Sequence, residues 1–270
     1  MKSILLATAL LIGVQSFAQK KEKKPKEDEK FFYTDATFET DDYKVYITDG
    51  VAVGPFSKFK MKVFNKTNDY LVIKTSEIGY VSDAKTVANK EKDFVVAPND
   101  EDWKVIDFKG SEMQTNKYTV DLKGIYKVSA NGQITETPVF DLPPTKNDFT
   151  TGNFTCSLKK HEANTDASTS KFECTYTGDG IGIINAYKAA AIMPNKTENA
   201  NSKKNKAVLL EKGKKDDFTL VFKEIIGAGD LQKKAIQVKW NDTFRESKLV
   251  KLDATKIEVV KDEVKTAEKK

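Results

Sequence analysis

The segment Phe59–Ile73, FKMKVFNKTNDYLVI, contains the clearest local structural pattern in the chain. Phe59, Met61 and Val63 alternate with lysines, and a period of two is typical of a strand with one buried face. The polar run 65–69, NKTND, supplies turn-forming residues, and the YLVI that follows begins a second β-rich run. The segment therefore predicts a strand, a polar turn and another strand.

A version of this pattern returns in the second half of the chain, which indicates an internal repeat. The aligned segments are Phe59 with Phe172 and 95–96 with 208–209 (offset 113), 103–105 with 218–220 (115), 118–122 with 236–240 (118), and 43–47 with 154–158 (111). An offset that drifts by a few residues is what loops of different length would give, because loops absorb insertions that strands cannot. The alternative is a chance alignment of two β-rich segments; we favour a tandem repeat.

The first 18 residues have the pattern of an export signal. A basic start precedes an apolar core at Ile4–Val14, and the small-residue site Ser16–Ala18 stands before Gln19. The alternative is a buried N-terminal helix. The apolar run is too short to span a bilayer and no second candidate follows it. We therefore expect residues 1–18 to be a signal peptide, cleaved near Ala18, and no transmembrane segment after cleavage.

Composition divides the rest of the chain. Residues 19–30 and 261–270 are rich in lysine and acidic residues and poor in apolar ones, which predicts a disordered linker and a disordered tail. Between them, the double proline in the LPPTK of 142–146 suggests a short, stiff boundary. The expected folded units are therefore residues 31–145 and residues 146–260.

Both predicted units consist of short β-rich runs separated by turn signals. Asn131-Gly132 lies between two such runs and is the strongest hairpin signal, because both residue types accept a positive φ. Helical spacing is sustained nowhere for long. The pattern predicts an all-β fold made of two antiparallel β-sandwich domains.

Two resemblances extend this interpretation. Two domains with this strand content, each containing a strand–turn–strand unit such as VFNKTNDYLVI, resemble tandem immunoglobulin-like β-sandwiches, although the Cys–Trp–Cys spacing of antibody domains is absent. The leader ending in SFAQ, the lysine- and asparagine-rich composition and the near absence of arginine resemble exported proteins of the Bacteroidota. The second resemblance implies residence in the periplasm or secretion.

Cys156 and Cys174 are the only cysteines. If their segments form a hairpin, the two cysteines stand directly opposite each other and point inward, so a disulfide is favoured over two buried thiols. His161 lies between them, but a zinc site is disfavoured because inward cysteines and a loop histidine would point apart. The repeat offsets map the two cysteines onto Val45 and Met61, which should then be cross-strand neighbours.

Clustered carboxylates mark two loops. Asp100, Glu101 and Asp102 lie between predicted strands, and a second acidic group occurs at 39–42. Such loops can hold calcium or face a partner. The alternative is a pair of solvated loops, since lysines surround both. No residue pattern indicates any other cofactor.

Charge and composition exclude several functions. The net charge of +5 comes from 45 basic and 40 acidic residues, with Arg245 the only arginine, which disfavours nucleic-acid binding. A single histidine disfavours Ser–His and Cys–His catalysis. We therefore expect a non-enzymatic exported envelope protein that binds or scaffolds protein partners. The alternative is a secreted carbohydrate-binding or carbohydrate-processing protein, which exposed aromatic side chains along one sheet face would favour for binding and a deep acidic cleft for catalysis.

Overall fold

The computed structural model describes residues 26, 28–193, 196–223 and 230–269. The first half contains β1 (Phe31–Phe32), β2 (Ala36–Glu39), β3 (Tyr43–Val53), β4 (Phe56–Asn65), β5 (Tyr70–Ile73), β6 (Ile78–Val81), β7 (Thr86–Ala88), β8 (Phe94–Val96), β9 (Glu101–Lys109), β10 (Lys117–Leu122), β11 (Ile125–Val128), β12 (Gln133–Ile134) and β13 (Phe140–Leu142). The second half contains β14 (Asp148–Thr151), β15 (Phe154–Ala163), β16 (Ala167–Tyr176), β17 (Ile181–Ile184), β18 (Ala190–Ile192), β19 (Glu198–Ala200), β20 (Val208–Glu211), β21 (Lys215–Lys223), β22 (Ile236–Lys239), β23 (Phe244–Ser247), β24 (Leu249–Lys251) and β25 (Thr255–Val260). A short helix, α1 (Glu263–Glu268), follows β25, and 3-10 turns occupy Thr75–Glu77, Ala186–Lys188 and Leu231–Lys233. The predicted all-β fold is confirmed.

The strands assemble into two units with the same layout. In the first unit, the sheet β1-β3-β4-β9, with β2 also on β3, encloses a core with the sheets β25-β10-β6-β7 and β24-β11-β5-β8. In the second unit, β14-β15-β16-β21 encloses a core with β13-β22-β18-β19 and β12-β23-β17-β20. The predicted alternation is confirmed at the first sheet, where Phe59, Met61 and Val63 are at most 1% exposed. Each unit is therefore a sandwich of antiparallel sheets.

The strand pairing corrects the predicted domain bounds. β24 and β25 come last in the sequence, yet they pair with β11 and β10 of the first unit. β12 and β13 come from the first repeat, yet they pair with β23 and β22 of the second unit. The intervals 31–145 and 146–260 are thus wrong at their C-terminal ends. Each repeat gives its last strands to the other unit, so the two units are interlocked.

A third apolar cluster joins the units. Tyr70, Val72 and Val128 of the first unit are buried against Ile181 and Ile183 of the second. Because side chains alternate along a strand, these residues stand on the faces of β5, β11 and β17 that point away from the two sandwich cores. The contact between the units is therefore largely apolar.

Polar contacts border this apolar cluster. The Tyr70 hydroxyl donates a hydrogen bond to Asn185 Oδ1 over 3.3 Å. Lys74 Nζ lies 2.9 Å from Glu211 Oε1. These side chains come from different units, so they add directed contacts to the interlocking strands.

Residues 261–269 are ordered, whereas a disordered tail was expected at 261–270. The Asp262 side chain accepts a hydrogen bond from the Lys265 backbone N–H at the start of α1, and Thr266 is buried. The Phe32 backbone N–H donates to Thr266 Oγ1 over 3.0 Å, so α1 is fixed to β1. The expectation failed because composition does not show that Thr266 meets an N-terminal strand 234 residues away.

The N-terminal predictions are only partly covered. Residues 1–18 lie outside the described residues, as does most of the predicted linker 19–30. At the end of that linker, the Gln114 side chain donates hydrogen bonds to the Lys26 and Glu29 carbonyls over 2.7 and 2.6 Å. None of the helices that the structure describes has the length and hydropathy of a membrane-spanning segment.

The hairpin predicted at Asn131-Gly132 is wrong. The strands on either side, β11 and β12, pair with different units, and neither residue has a positive φ. Gly132 instead allows a close backbone approach, because a Cβ there would lie 2.4 Å from the Glu246 carbonyl oxygen of β23. The glycine at 132 is thus explained by the close packing of β12 on β23 and not by a turn.

This close approach gives a first prediction. Gly132→Ala should lower the free energy of unfolding by about 1–3 kcal/mol, since the added methyl group meets backbone that cannot move aside cheaply. Gly79→Ala is the matched control, because its nearest neighbour would be 3.7 Å away. Urea denaturation of both variants measures the difference. Equal stability of the two variants would contradict the close packing of β12 on β23.

The strand registers also fix how the repeats align. Tyr43↔Asn65 ends the β3–β4 pair as Phe154↔Tyr176 ends the β15–β16 pair, so both strands are offset by 111 residues. Phe64 of β4 pairs with Glu101 of β9, and the equivalent Thr175 of β16 pairs with Lys215 of β21. The outer strands β9 and β21 are therefore offset by 114 residues.

The predicted neighbours Val45 and Met61 are two residues out of register. Val45 lies opposite Val63, and Met61 lies opposite Ile47. With the offset of 111, the cysteine pair of the second unit corresponds to Val45–Val63, and both valines are fully buried. The β3–β4 and β15–β16 hairpins are therefore equivalent in the two units, but the predicted offset of 113 for β4 was wrong.

Candidate functional site

The most distinctive surface is the outer face of the first unit's large sheet. Because the inward residues of β3 and β4 are buried, the alternate residues point to solvent. Tyr46, Lys62 and Trp103 form one row across β3, β4 and β9, flanked by a row that contains Lys44 and Phe64. We call this surface the aromatic–lysine face; its residues are Lys44, Tyr46, Lys60, Lys62, Phe64, Trp103 and Val105.

The apolar members of the face are unusually exposed. Trp103 is 54% exposed, Val105 44% and Phe64 37%. Large apolar side chains grouped on one sheet face commonly mark an interaction site, whereas single exposed ones need no explanation. Three of these side chains on two adjacent strands therefore make this face a candidate binding surface.

Lysines cover the aromatic rings of this face. Lys60 Nζ lies 4.3 Å from the centroid of the Trp103 ring. Lys44 and Lys62 Nζ lie 5.1 and 5.3 Å from the Tyr46 ring centroid. Such cation–π contacts contribute about 0.5–1 kcal/mol each at exposed sites. These contacts place ammonium groups beside aromatic rings across the aromatic–lysine face.

Among the described residues of the second unit, the equivalent strands carry no such face. At the offsets of 111 and 114, Ser157 stands in place of the tyrosine, Thr175 in place of the phenylalanine, Asp217 in place of the tryptophan and Thr219 in place of the valine. Asp217 forms an ion pair with Lys171 at 2.5 Å. The two units share a fold, so this difference is not required by folding. The difference places the candidate binding surface on the first unit.

The predicted acidic loop lies at the border of the face. Asp100 and Asp102 accept hydrogen bonds from the backbone N–H groups of Glu101 and Trp103, both over 2.8 Å. Glu101 pairs with Lys62 at 2.9 Å. Within the described residues, no group of three or more metal-ligating side chains occurs. These carboxylates lie at the start of the edge strand β9, where charged side chains disfavour pairing with another edge.

The other acidic loop is also engaged with lysines. Glu39 lies 3.2 Å from Lys44 and 3.0 Å from Lys66, and Asp42 lies 3.1 Å from Lys127. The carboxylates are distributed among separate ion pairs and do not converge on one point. Their arrangement neutralises lysines near the aromatic–lysine face.

The predicted disulfide Cys156–Cys174 is present, with the two residues directly opposite on β15 and β16 and both buried. His161 is in β15 and not in a loop as expected, and its Nδ1 lies 3.0 Å from Ser170 Oγ. Burial lowers the pKa of the His161 imidazole below its ordinary value. Ser170 is fully buried, so this Ser–His contact offers no hydroxyl to a substrate.

A cleft of about 580 Å³ lies beside the contact between the units. Its acidic residues, Asp179 and Glu211, are paired with Lys212 and Lys74 at 2.5 and 2.9 Å. Lys248 also lines it. The cleft therefore carries mixed charge and does not have the unpaired carboxylates that glycoside hydrolysis uses.

Sequence reasoning missed the aromatic–lysine face because β9 carries apolar residues at both alternations. Trp103 and Val105 point outward, whereas Ile106 and Phe108 are fully buried. The sequence alignment matched Trp103 to the buried Phe218, one residue out of register, and so implied an inward tryptophan. One available signal was Tyr46. It lies between the inward residues Val45 and Ile47 of β3, so the alternation places its side chain on the outer face.

Comparison with known proteins identifies no family. No protein-family model matches this chain, and no curated protein matches it. Among solved structures, the chain is similar to the secreted serine protease VesC from Vibrio cholerae, with 11% identity and a TM-score of 0.19 over 70% of this chain and 48% of the protease. A likeness at that TM-score bears on neither the fold nor the activity of this chain.

Proposed function

We propose that this chain is a non-enzymatic exported envelope protein that binds a protein partner through the aromatic–lysine face of its first unit. One observation carries the proposal: the face exposes Phe64, Trp103 and Val105, whereas the equivalent positions of the second unit are polar. Aromatic residues are enriched in protein interfaces and dominate their binding energy. The first unit is thus the binding unit, and the second supports it through the interlocked strands.

Export and an envelope location are part of the proposal. The signal-like residues 1–18 motivate it, and the buried disulfide Cys156–Cys174 supports it, because structural disulfides persist mainly in oxidising compartments outside the cytoplasm. We place the mature protein in the periplasm or outside the cell. An envelope partner is the class of protein it would meet there.

The charges on the face indicate the character of the partner surface. Lys60 contacts only the Trp103 ring among the ionic and cation–π contacts found in the described residues, so its charge is available to a ligand. A partner patch that combines an apolar centre with carboxylates at its margin fits this alternation of rings and ammonium groups. Binding should accordingly weaken as salt screens the lysines.

A carbohydrate-binding function is the alternative, and the exposed aromatic rings are the observation that favours it. Sugars stack on the flat faces of such rings. Here the face of Trp103 is occupied by Lys60 at 4.3 Å and that of Tyr46 by two lysines. A neutral sugar would have to displace these ammonium groups, whereas a carboxylate-bearing protein surface would use them. The geometry therefore favours a protein partner.

The test is affinity capture from envelope extract with the wild-type protein and with the double variant Phe64→Ala/Trp103→Ala. The captured protein is then purified and titrated against both. We expect the double variant to bind about 30-fold more weakly or worse, since loss of a tryptophan at the centre of an interface costs about 2 kcal/mol or more. Stability should change little because both side chains are exposed.

The matched control is Thr175→Ala/Asp217→Ala, which changes the equivalent positions of the second unit and should leave the affinity unchanged. Equal binding by the wild type and the Phe64→Ala/Trp103→Ala variant would place the partner elsewhere on the molecule. Recovery of a glycan alone, with no protein, would favour the carbohydrate alternative.

A further inference from the structure

The last strands of the chain carry an inference that is independent of the proposed function. β25 pairs with β10 over six residues, from Lys117↔Val260 to Leu122↔Thr255, and β24 pairs with β11 over three. In the sequence, all the strands from β12 to β23 lie between β11 and β24. The first unit is therefore completed by β24 and β25, which follow the second unit in the sequence.

The connection before β24 explains why the strand is donated. β23 ends at Ser247 and β24 begins at Leu249, so Lys248 alone lies between them. The shortest common hairpin loop has two residues, and one residue cannot reverse the chain. β24 therefore cannot fold back onto β23. In the structure it continues instead into the first unit, where it pairs with β11.

The acceptor edge on β10 and β11 is specific for this strand. Ile257 and Val259 point into the first core, where they are 5% and 0% exposed. Beyond β25, the Lys261 backbone N–H donates to the Asn116 carbonyl over 2.8 Å. Any second copy of the chain presents the same edge and the same donor strand, because none of these contacts depends on the two belonging to one molecule.

We infer that two copies of this chain exchange their interlocked strands: β24–β25 of one copy complete the first unit of the other, and β12–β13 of that other copy complete the second unit of the first, with residues 143–147 crossing between the two bodies. The same strand pairs and the same core packing form in the exchanged dimer and in the monomer, and therefore the balance is set by concentration alone. Within one chain, the strand meets its acceptor edge at an effective concentration of about 1 mM. At a protein concentration of about 0.1 mM, the edges of other copies are about ten times more dilute, so about a tenth of the strands should pair between copies once they can open.

The test uses Thr119 and Glu258, which lie directly opposite on β10 and β25 with their side chains away from the core. Wild-type protein has no free cysteine, so the introduced thiols are the only free thiols in each variant. The single variants Thr119→Cys and Glu258→Cys are mixed, opened together in mild denaturant, refolded at several concentrations and oxidised. A disulfide between them is strongly favoured when the strand of one copy lies beside β10 of another, and the mismatched pair described below measures the background from random collision.

We expect a covalent dimer in the mixture whose yield rises with protein concentration, and little dimer from either single variant or from Thr119→Cys mixed with Thr175→Cys. The double variant Thr119→Cys/Glu258→Cys should close within one chain at low concentration. A mixture that stays monomeric at every concentration while the double variant closes would overturn the inference. Failure of the double variant to close would also overturn it, because the register on which it depends would be wrong.

Discussion

Deletion of residues 249–270 should unfold the first unit, although that unit begins at β1. The deletion removes β24, β25 and α1, exposes the edges of β10 and β11, and withdraws Ile257 and Val259 from the core. Two buried aliphatic side chains at about 1.5–3 kcal/mol each, with the hydrogen bonds of the ladder, contribute about 5 kcal/mol or more. That is comparable to the whole stability of a small domain. Amide hydrogen exchange resolved by peptide would show fast exchange throughout β3, β4 and β10.

Point substitutions distinguish the loss of the β25 core contacts from the nonspecific effect of shortening the chain. Ile257→Asp should mimic the deletion, since it buries a charge without a partner. Glu258→Ala, at the neighbouring exposed position, should change stability by less than about 0.5 kcal/mol. Deletion of α1 alone should have a modest effect, limited to contacts such as Phe32–Thr266. Protection of the first unit that survived the loss of 249–270 would show that the strand is not required.

The limits of sequence reasoning follow from what each signal measures. Alternation along one strand reports which side chains are buried, and it correctly gave the inward faces of β3 and β4. The hairpin register Phe154↔Tyr176 with Cys156↔Cys174 was also predictable, because the short connection makes the two strands neighbours. The partner of β25 was not predictable in this way, since alternation does not say which edge a strand meets.

A one-residue connection was the missed signal for the exchange. Lys248 stands between two β-rich runs, and the length of that connection excludes a hairpin. At 131–132, the Asn-Gly pair suggested a hairpin because it accepts positive φ, yet the glycine serves a close backbone approach to Glu246. Composition alone cannot distinguish these two reasons for a glycine.

The candidate site was hidden for a related reason. In β9 both alternations are apolar, so the pattern cannot tell the exposed Trp103 and Val105 from the buried Ile106 and Phe108. Only the pairing with Lys62 of β4 places the tryptophan outside. A binding strand that keeps apolar residues on its solvent face looks like a doubly buried strand when it is read alone.

The disulfide gives the second large prediction. Cys156→Ala/Cys174→Ala should lower the free energy of unfolding of the second unit by about 3 kcal/mol, because the bond closes a loop of 18 residues in the unfolded chain. With a slope of about 2 kcal/mol/M, the urea midpoint should fall by about 1.5 M. The fluorescence of Trp240 reports this transition, since its ring is buried in the second core 5.4 Å from that of Phe172.

The repeat supplies a matched variant for this prediction. Val45 and Val63 occupy the equivalent positions of the first unit, so Cys156→Val/Cys174→Val restores the apolar contact without the covalent bond. It should be more stable than the alanine pair and still less stable than the disulfide. The first unit should keep its amide protection in both variants, because β24 and β25 remain paired with it when the second core opens. If the valine pair matched the wild type, packing and not the crosslink would account for the stability of this site. If both units lost amide protection together, the two cores would unfold as one cooperative unit, coupled by the interlocked strands.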